Sequence, residues 1–274
     1  MTNGELLCRG AEALARQEIS EAGADAWILF SYVTGLSRAE YYLRSGEDAP
    51  PEWREAYWEK IEMRKRRMPV QQITGEQEFM GLPFSVNENV LIPRQDTEIL
   101  VETVLPMVEG KRVLDLCTGT GCIAISLAVL GKPECCLGTD ISREALQVAE
   151  HNHRRLGGPV SFIESDLFDR VGGIFDLIVS NPPYIPPAVI SGLEEEVRVH
   201  EPRIALDGGE DGLDFYRRIV AEAGNFLRPG GILAFEIGHD QGREVERLMK
   251  EAGYASLRCK KDYAGHDRVV LGEL

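Results

Sequence analysis

Asn181-Pro182-Pro183-Tyr184 carries more chemistry than any other segment of the chain. It follows Phe175-Asp176-Leu177-Ile178-Val179-Ser180, an apolar run that reads as a buried strand. A side-chain amide and two carbonyls without neighbouring N–H donors therefore fall at a strand's carboxyl end. Ligands in open α/β sheets bind at that edge. Such a group suits a planar NH2, both of whose hydrogens need acceptors. With proline near 5% of residues, the tetrapeptide is roughly a one-in-a-thousand accident in a chain this long.

A second cluster lies upstream. Val113-Leu114-Asp115-Leu116 reads as a strand, followed by Cys117-Thr118-Gly119-Thr120-Gly121 and then a helix. Glycines at a strand-to-helix turn let backbone approach a ligand, and the helix start offers free N–H groups. Turns of this kind serve NAD, FAD, nucleotides and S-adenosylmethionine alike. This one lacks the G-x-G-x-x-G spacing and any G-K-[ST], which disfavours a dinucleotide or a P-loop. Asp140 ends the next strand, where a carboxylate can accept both hydroxyls of a ribose; its other reading is a cap for the helix starting near Ser142. Asp166-Leu167 ends the strand after that. The pair could offer an acceptor and an apolar lid to an adenine ring, or Asp166 could simply cap a helix.

The elements that must position these residues follow from periodicity. Residues 1–73 read as helices: Leu7, Ala11 and Leu14 keep helical spacing, and Asp25 can cap a second helix through Leu29, Phe30 and Val33. Ser37 with Glu40 makes a capping box, and Pro51 can start a fourth helix with a Trp53, Tyr57, Ile61 stripe. Arg64-Lys65-Arg66-Arg67 ends that helix as favourable charge on a solvated face, or alternatively as a docking patch. Residues 74–92 suggest a hairpin linking two domains, and 93–274 alternate strand with helix. A helix capped at Asp96 comes first. Strands are expected at 112–116, 134–139, 160–164, 175–180, 231–237, 255–260 and 267–272, with helices at 121–130, 142–156, 211–226 and 239–252. Alternation of this kind gives an α/β fold with a largely parallel sheet covered on both faces.

Bulk properties narrow the class. A net charge of −15 and a pI near 4.9 argue against tight binding to bare nucleic acid. No signal peptide or membrane-length apolar run is visible, so the chain reads as cytoplasmic. Six cysteines without metal or disulfide spacing read as free, mostly buried thiols. The five histidines are scattered, and no metal site is expected. Arg94 suits a ligand contact or a salt bridge; Glu236 and Asp262, near strand ends, read as capping or ion-pairing groups.

Taken together, Asp115 through Gly121, Asp140, Asp166 and the Asn181–Tyr184 tetrapeptide resemble class I S-adenosylmethionine-dependent methyltransferases acting on a planar NH2. Glu78-Phe79-Met80-Gly81, Leu91 to Glu98, Glu201-Pro202-Arg203, Gly208 to Leu213 and Asp262 to Arg268 further resemble the HemK/PrmC family, nearly end to end. These are methyltransferases that modify the glutamine of the Gly-Gly-Gln loop in class 1 peptide chain release factors. The resemblance implies a Rossmann-like seven-stranded sheet with its last strands antiparallel, behind a small helical N-terminal substrate-recognition domain. It also implies S-adenosylmethionine over Cys117, Thr118, Gly119, Thr120 and Gly121, with ribose on Asp140, adenine beside Leu167 and Asn181 at the reacting end. Asn181, Pro182, Pro183 and Tyr184 would hold the substrate glutamine. The chain departs from the family at Cys117, where Gly is common, at Leu167, where some members place Trp, and at Gln95-Asp96.

Competing acceptors are a ribosomal-protein glutamine and a nucleic-acid adenine. The acidic balance disfavours the latter. Only 90 residues follow Tyr184, and the sheet uses them, leaving no room for a target-recognition domain. A non-catalytic module with the same fold is disfavoured by the intact Asn181 and Asp140.

Overall fold

The structure, a computed structural model, describes residues 1–274 and divides into two units. Met1–Glu76 and Glu194–His200 form the first. Its helices are α1 (Asn3–Ala15), α2 (Ala22–Thr34), α3 (Arg38–Arg44), α4 (Pro51–Lys65) and α5 (Val70–Thr74). Thr2 with Glu5 and Ser37 with Glu40 make complete capping boxes, and Pro51 occupies a first-turn position where its missing N–H costs nothing. Leu6, Leu14, Leu29, Phe30, Tyr57 and Ile61 are fully buried together. Gly10 lets α1 meet α4, since a Cβ there would stand 2.0 Å from the Tyr57 hydroxyl.

Two expectations fail in this unit. Asp25 caps nothing: α2 begins at Ala22, and the Asp25 carboxylate accepts from Arg64 Nε at 2.7 Å. Arg64 is accordingly buried rather than solvated. Its guanidinium also meets Glu196, on the short helix Glu195–His200, at 2.8 Å, and Arg67 reaches the same carboxylate at 2.9 Å. Packing demanded internal partners for a cation that helix position alone would leave in water.

The second unit begins at Gln77, within a hairpin of β1 (Glu76–Phe79) and β2 (Leu82–Ser85) that turns at Met80-Gly81, both at positive φ. Glu98 steadies that turn by accepting from Met80 N at 2.6 Å. Next come α6 (Gln95–Val104), β3 (Arg112–Leu116), α7 (Cys122–Gly131), β4 (Cys135–Asp140), α8 (Arg143–Leu156), β5 (Val160–Glu164) and β6 (Phe175–Ser180). After α9 (Pro187–Ile190) and the Glu195–His200 helix, α10, follow α11 (Asp214–Ala223), β7 (Leu227–Glu236), α12 (Gly242–Glu251), β8 (Ala255–Lys261) and β9 (Asp267–Glu273). The seven-stranded sheet has the order β5-β4-β3-β6-β7-β9-β8. Alternation splits its side chains between two cores. Val113, Leu177 and Val179 pack with α6 and α7, while Leu114, Ile178 and Phe235 pack with α11 and α12.

Several boundaries differ from the sequence reading. Only β9 is reversed, because β8 pairs antiparallel with β9 and so runs with the rest. β7 starts at Leu227, before Pro229-Gly230, across a register shift opposite Phe175 and Leu177. Asp96 lies inside the first turn of α6 rather than capping it, and pairs with Arg268 at 3.1 Å. α11 starts late because Asp211 accepts from Leu213 N and Gly212 takes φ +75°. Of the cysteines, two are buried, three half-buried and Cys8 exposed, all free. Sequence reading missed α9 and α10.

The buried Arg64 cluster is testable. Arg64→Ala leaves Asp25 buried without a counter-charge and should destabilise the protein by about 3–5 kcal/mol in urea unfolding.

Candidate functional site

β3 and β6 pair in parallel with Leu116 opposite Ser180, and Ser180 Oγ donates to Leu116 O at 2.8 Å. The loops after both strands therefore emerge level at the carboxyl edge of the sheet. β3 also marks the point where the strand order reverses, the expected position of a ligand crevice. A cavity opens there with about 830 Å³ of empty space, its open mouth included. Cys117, Gly119, Asp140, Leu167, Asn181 and Pro183 line it, with Asp166, Phe215 and Arg218.

The loop after β3 is built around Asp115. This carboxyl is fully buried and pushed up to about 7 by that burial, against hydrogen bonds from Thr118 Oγ1 at 2.6 Å and Ala124 N at 3.2 Å. Cys117, Gly119 and Gly121 take φ of 59°, 53° and 78°. Cys117 thus accepts a left-handed conformation that glycine adopts without strain. A Cβ on Gly119 would meet nothing within 4 Å, so the missing side chain leaves the cavity wall open to a ligand. Thr118 and Thr120 are buried, and Gly121 starts α7 against Ile125, Phe162 and Ala149. Those three shape the loop without lining the cavity.

Asp140 does not cap the following helix, whose N-cap is Ser142, its hydroxyl accepting from Ala145 N at 3.1 Å. The Asp140 oxygens accept from Gly119 N and Ser142 N, each at 2.9 Å, so it joins loop to helix start while lining the cavity. Burial raises its carboxyl above the usual range, against hydrogen bonds from the Ser142, Gly119 and Ile141 backbone. Asp166 pairs with Arg218 at 2.8 Å, and Leu167 is mostly buried at φ 48°.

On the opposite wall, Asn181 Nδ2 donates to Thr97 Oγ1 at 3.2 Å. Pro182 and Tyr184 do not line the cavity; the Tyr184 hydroxyl donates to Glu236 Oε1 at 3.3 Å. Gln241 Nε2 donates to Tyr184 O at 3.0 Å and to Gly212 O at 3.2 Å. Gly208 passes so close that a Cβ would stand 2.6 Å from Tyr184 Cα. Arg94 forms the salt bridge, to Glu201 at 2.6 Å, and Asp262 pairs with Arg268 at 3.2 Å.

Glu236 corrects the sequence reading. It is buried, neither caps nor forms a close ion pair, and lies against the tetrapeptide. Burial pushes its carboxyl up to about 7. The available signal was strand register: Ser180 opposite Phe235 sets the next residue of β7 beside Asn181.

Cofactor chemistry fits these residues: an open backbone turn, a half-buried carboxylate on the next strand end, and the Asn181 side chain lining the same cavity. Family models agree. Residues 5–75 match the PrmC N-terminal domain and residues 94–193 the methyltransferase small domain. The fold resembles a methyltransferase of Pyrococcus furiosus (TM-score 0.55, 19% identity, covering 79% of this chain and 96% of that one). It also resembles the T. thermophilus 16S rRNA N2 G1207 methyltransferase, solved with AdoMet and guanosine (TM-score 0.51, 18% identity, 72% of this chain and 49% of that one). The protein is an S-adenosylmethionine-dependent methyltransferase. Among relatives, the release factor glutamine methyltransferase of Clostridium acetobutylicum is 44% identical over 90% of each chain. That of Moorella thermoacetica is 42% identical over 99% of this chain and 98% of its own. The chain belongs to the release factor glutamine methyltransferase family.

Gly208 tests how tightly the tetrapeptide is held. Gly208→Ala must displace the Tyr184 backbone, and kcat for methyl transfer should fall on the order of 100-fold. S-adenosylmethionine affinity, measured by titration calorimetry, should be retained.

Proposed function

We propose that the protein methylates the side-chain amide nitrogen of the glutamine in the Gly-Gly-Gln segment of class 1 peptide chain release factors. The observation that carries this reading is the Asn181 amide. Its nitrogen is tied back to Thr97, leaving its oxygen as an acceptor in the same cavity as Gly119 and Asp140. S-adenosylmethionine supplies an electrophilic sulfonium methyl group when bound. Cys117, Gly119, Asp140, Leu167 and Asn181 hold it, with Asp140 taking the ribose hydroxyls, while Thr118, Thr120 and Gly121 keep the loop in shape.

An amide nitrogen is a weak nucleophile because its lone pair is delocalised into the carbonyl. Orientation is therefore the main task of the protein. Asn181 Oδ1 and the Pro182 carbonyl each accept one N–H of the substrate amide, which aims the nitrogen and raises its electron density. Pro182 and Pro183 bring no N–H that would repel the substrate hydrogens, and they stiffen the segment. Tyr184 supports the clamp by packing. Alignment of this kind supplies about 7–11 kcal/mol of barrier reduction. The methylated nitrogen is strongly acidic and loses its proton to water.

The helical domain, residues 1–73, serves release-factor recognition. The hairpin region 74–92 links it to the catalytic domain, residues 93–274. We assign the protein to the cytoplasm with the release factor as its partner; no helix is long and apolar enough to cross a membrane. Nucleic acid is not a partner in this reading, given the net charge of −15.

Two measurements test the proposal. Labelled methyl transfer should reach a release factor but not its Gln→Ala loop variant, ribosomal proteins or DNA. Asn181→Ala should lose transfer by roughly 100- to 1,000-fold, as when one preorganised hydrogen-bonding group is removed from an active site, while still binding S-adenosylmethionine. Label on DNA, or near-normal turnover by Asn181→Ala, contradicts the reading.

A further inference from the structure

We infer that Glu236 is a positioning residue which, through Thr97 and Tyr184, fixes the direction in which the Asn181 amide is presented to the substrate. The inference rests on the proposed role of Asn181 as an amide clamp. The two ends of a carboxamide have nearly the same shape, and only the oxygen can accept a substrate N–H. Holding the oxygen forward requires an acceptor behind the nitrogen. Thr97 Oγ1 stands there, 3.2 Å from Asn181 Nδ2. A hydroxyl reliably accepts when its own proton is engaged elsewhere. The group placed to engage it is the Glu236 carboxylate: its Oε2 is buried with no other hydrogen bond, and the Thr97 hydroxyl lowers the carboxyl against the burial that raises it. The same carboxylate accepts the Tyr184 hydroxyl at 3.3 Å. Both ends of the tetrapeptide are thus tied to one anion on the neighbouring strand.

A purely structural role accounts poorly for this carboxylate. Glu236 and Thr97 are each 2% exposed, and Glu236 Oε2 is buried without a hydrogen-bond partner of its own. Burying a carboxylate on these terms is costly, and an apolar side chain of similar volume would serve stability as well or better. The surroundings retain the charge at this position. Arg268, on β9, favours the anion, although its own close partners are Asp96 and Asp262. Asp96, on α6, opposes it, while the Tyr184 and Thr97 hydroxyls favour it. Tyr216, on α11, donates to the Glu236 backbone carbonyl at 2.9 Å, leaving the carboxylate to the tetrapeptide.

Protonation would reverse the chain of bonds. A neutral Glu236 can donate to Thr97, whose hydroxyl proton then turns toward Asn181 and favours its oxygen facing backward. Burial places this protonation near pH 7, so kcat should fall as pH drops below about 7.

The test is steady-state kinetics of the full chain with a release factor and S-adenosylmethionine, for wild type, Glu236→Gln, Thr97→Val and Thr97→Ser. Glu236→Gln and Thr97→Val should lower kcat roughly 10- to 100-fold. KM for either substrate should stay within about threefold, since the loss lies in alignment rather than uniform binding. Thr97→Ser, which keeps the hydroxyl, should restore most of the rate lost in Thr97→Val. The acid limb of the wild-type kcat profile should be absent in Glu236→Gln. Wild-type kcat with an unchanged acid limb in Glu236→Gln, or equal rates for Thr97→Val and Thr97→Ser, overturns the positioning role alone. Absence of wild-type turnover on a release factor overturns the proposed substrate, and the positioning role with it.

Discussion

The parallel pairing of β3 with β6 is the constraint on which the site depends. With Leu116 opposite Ser180, Cys117 and Asn181 leave the sheet at the same level, and the Ser180 hydroxyl on Leu116 O pins the strands at that point. One residue of slip would flip the side chains of a strand to the opposite face. Register is protected because Val113 and Leu114 belong to different cores, as do Ile178 and Val179. The two apolar layers therefore hold a polar edge in place, and the two halves of the site need no direct bond to each other.

Behind that edge the molecule supports the tetrapeptide from several elements at once. The Tyr184 carbonyl is taken by Gln241, its hydroxyl by Glu236, and its backbone passes against Gly208. Thr97 on α6 reaches Asn181. These contacts come from parts of the sequence far apart, so the strand-end loop has little freedom to relax. In the proposed reading the tetrapeptide works by orientation and needs this rigidity, because such a contribution vanishes with small misplacements. The facing wall is organised likewise, with buried Asp115 and half-buried Asp140 fixing the turn while Gly119 leaves its surface bare.

Much of this was legible in the sequence because it is local. Strand runs such as Val113–Leu116 and Phe175–Ser180, the Ser37–Glu40 capping box and the left-handed turn at Gly119 and Gly121 are each specified by a few neighbouring residues. What escaped is set by distant partners. Asp25 looked like a helix cap until the fold supplied Arg64, and Arg64 looked solvated until it met Asp25 and Glu196. Glu236 and Thr97 are ordinary residues at the ends of elements; strand register and the docking of α6 give them meaning. Thr118, Thr120 and Gly121 sit in the ligand loop by sequence, yet the backbone turns them inward.

The central claim is that this edge presents acceptors to the two hydrogens of a glutamine side-chain amide. Fragmentation mass spectrometry of a release factor treated with the enzyme and S-adenosylmethionine tests it most directly. The account predicts a single methyl group on the side-chain nitrogen of the Gly-Gly-Gln glutamine. A methyl group on any other atom of the release factor would contradict it.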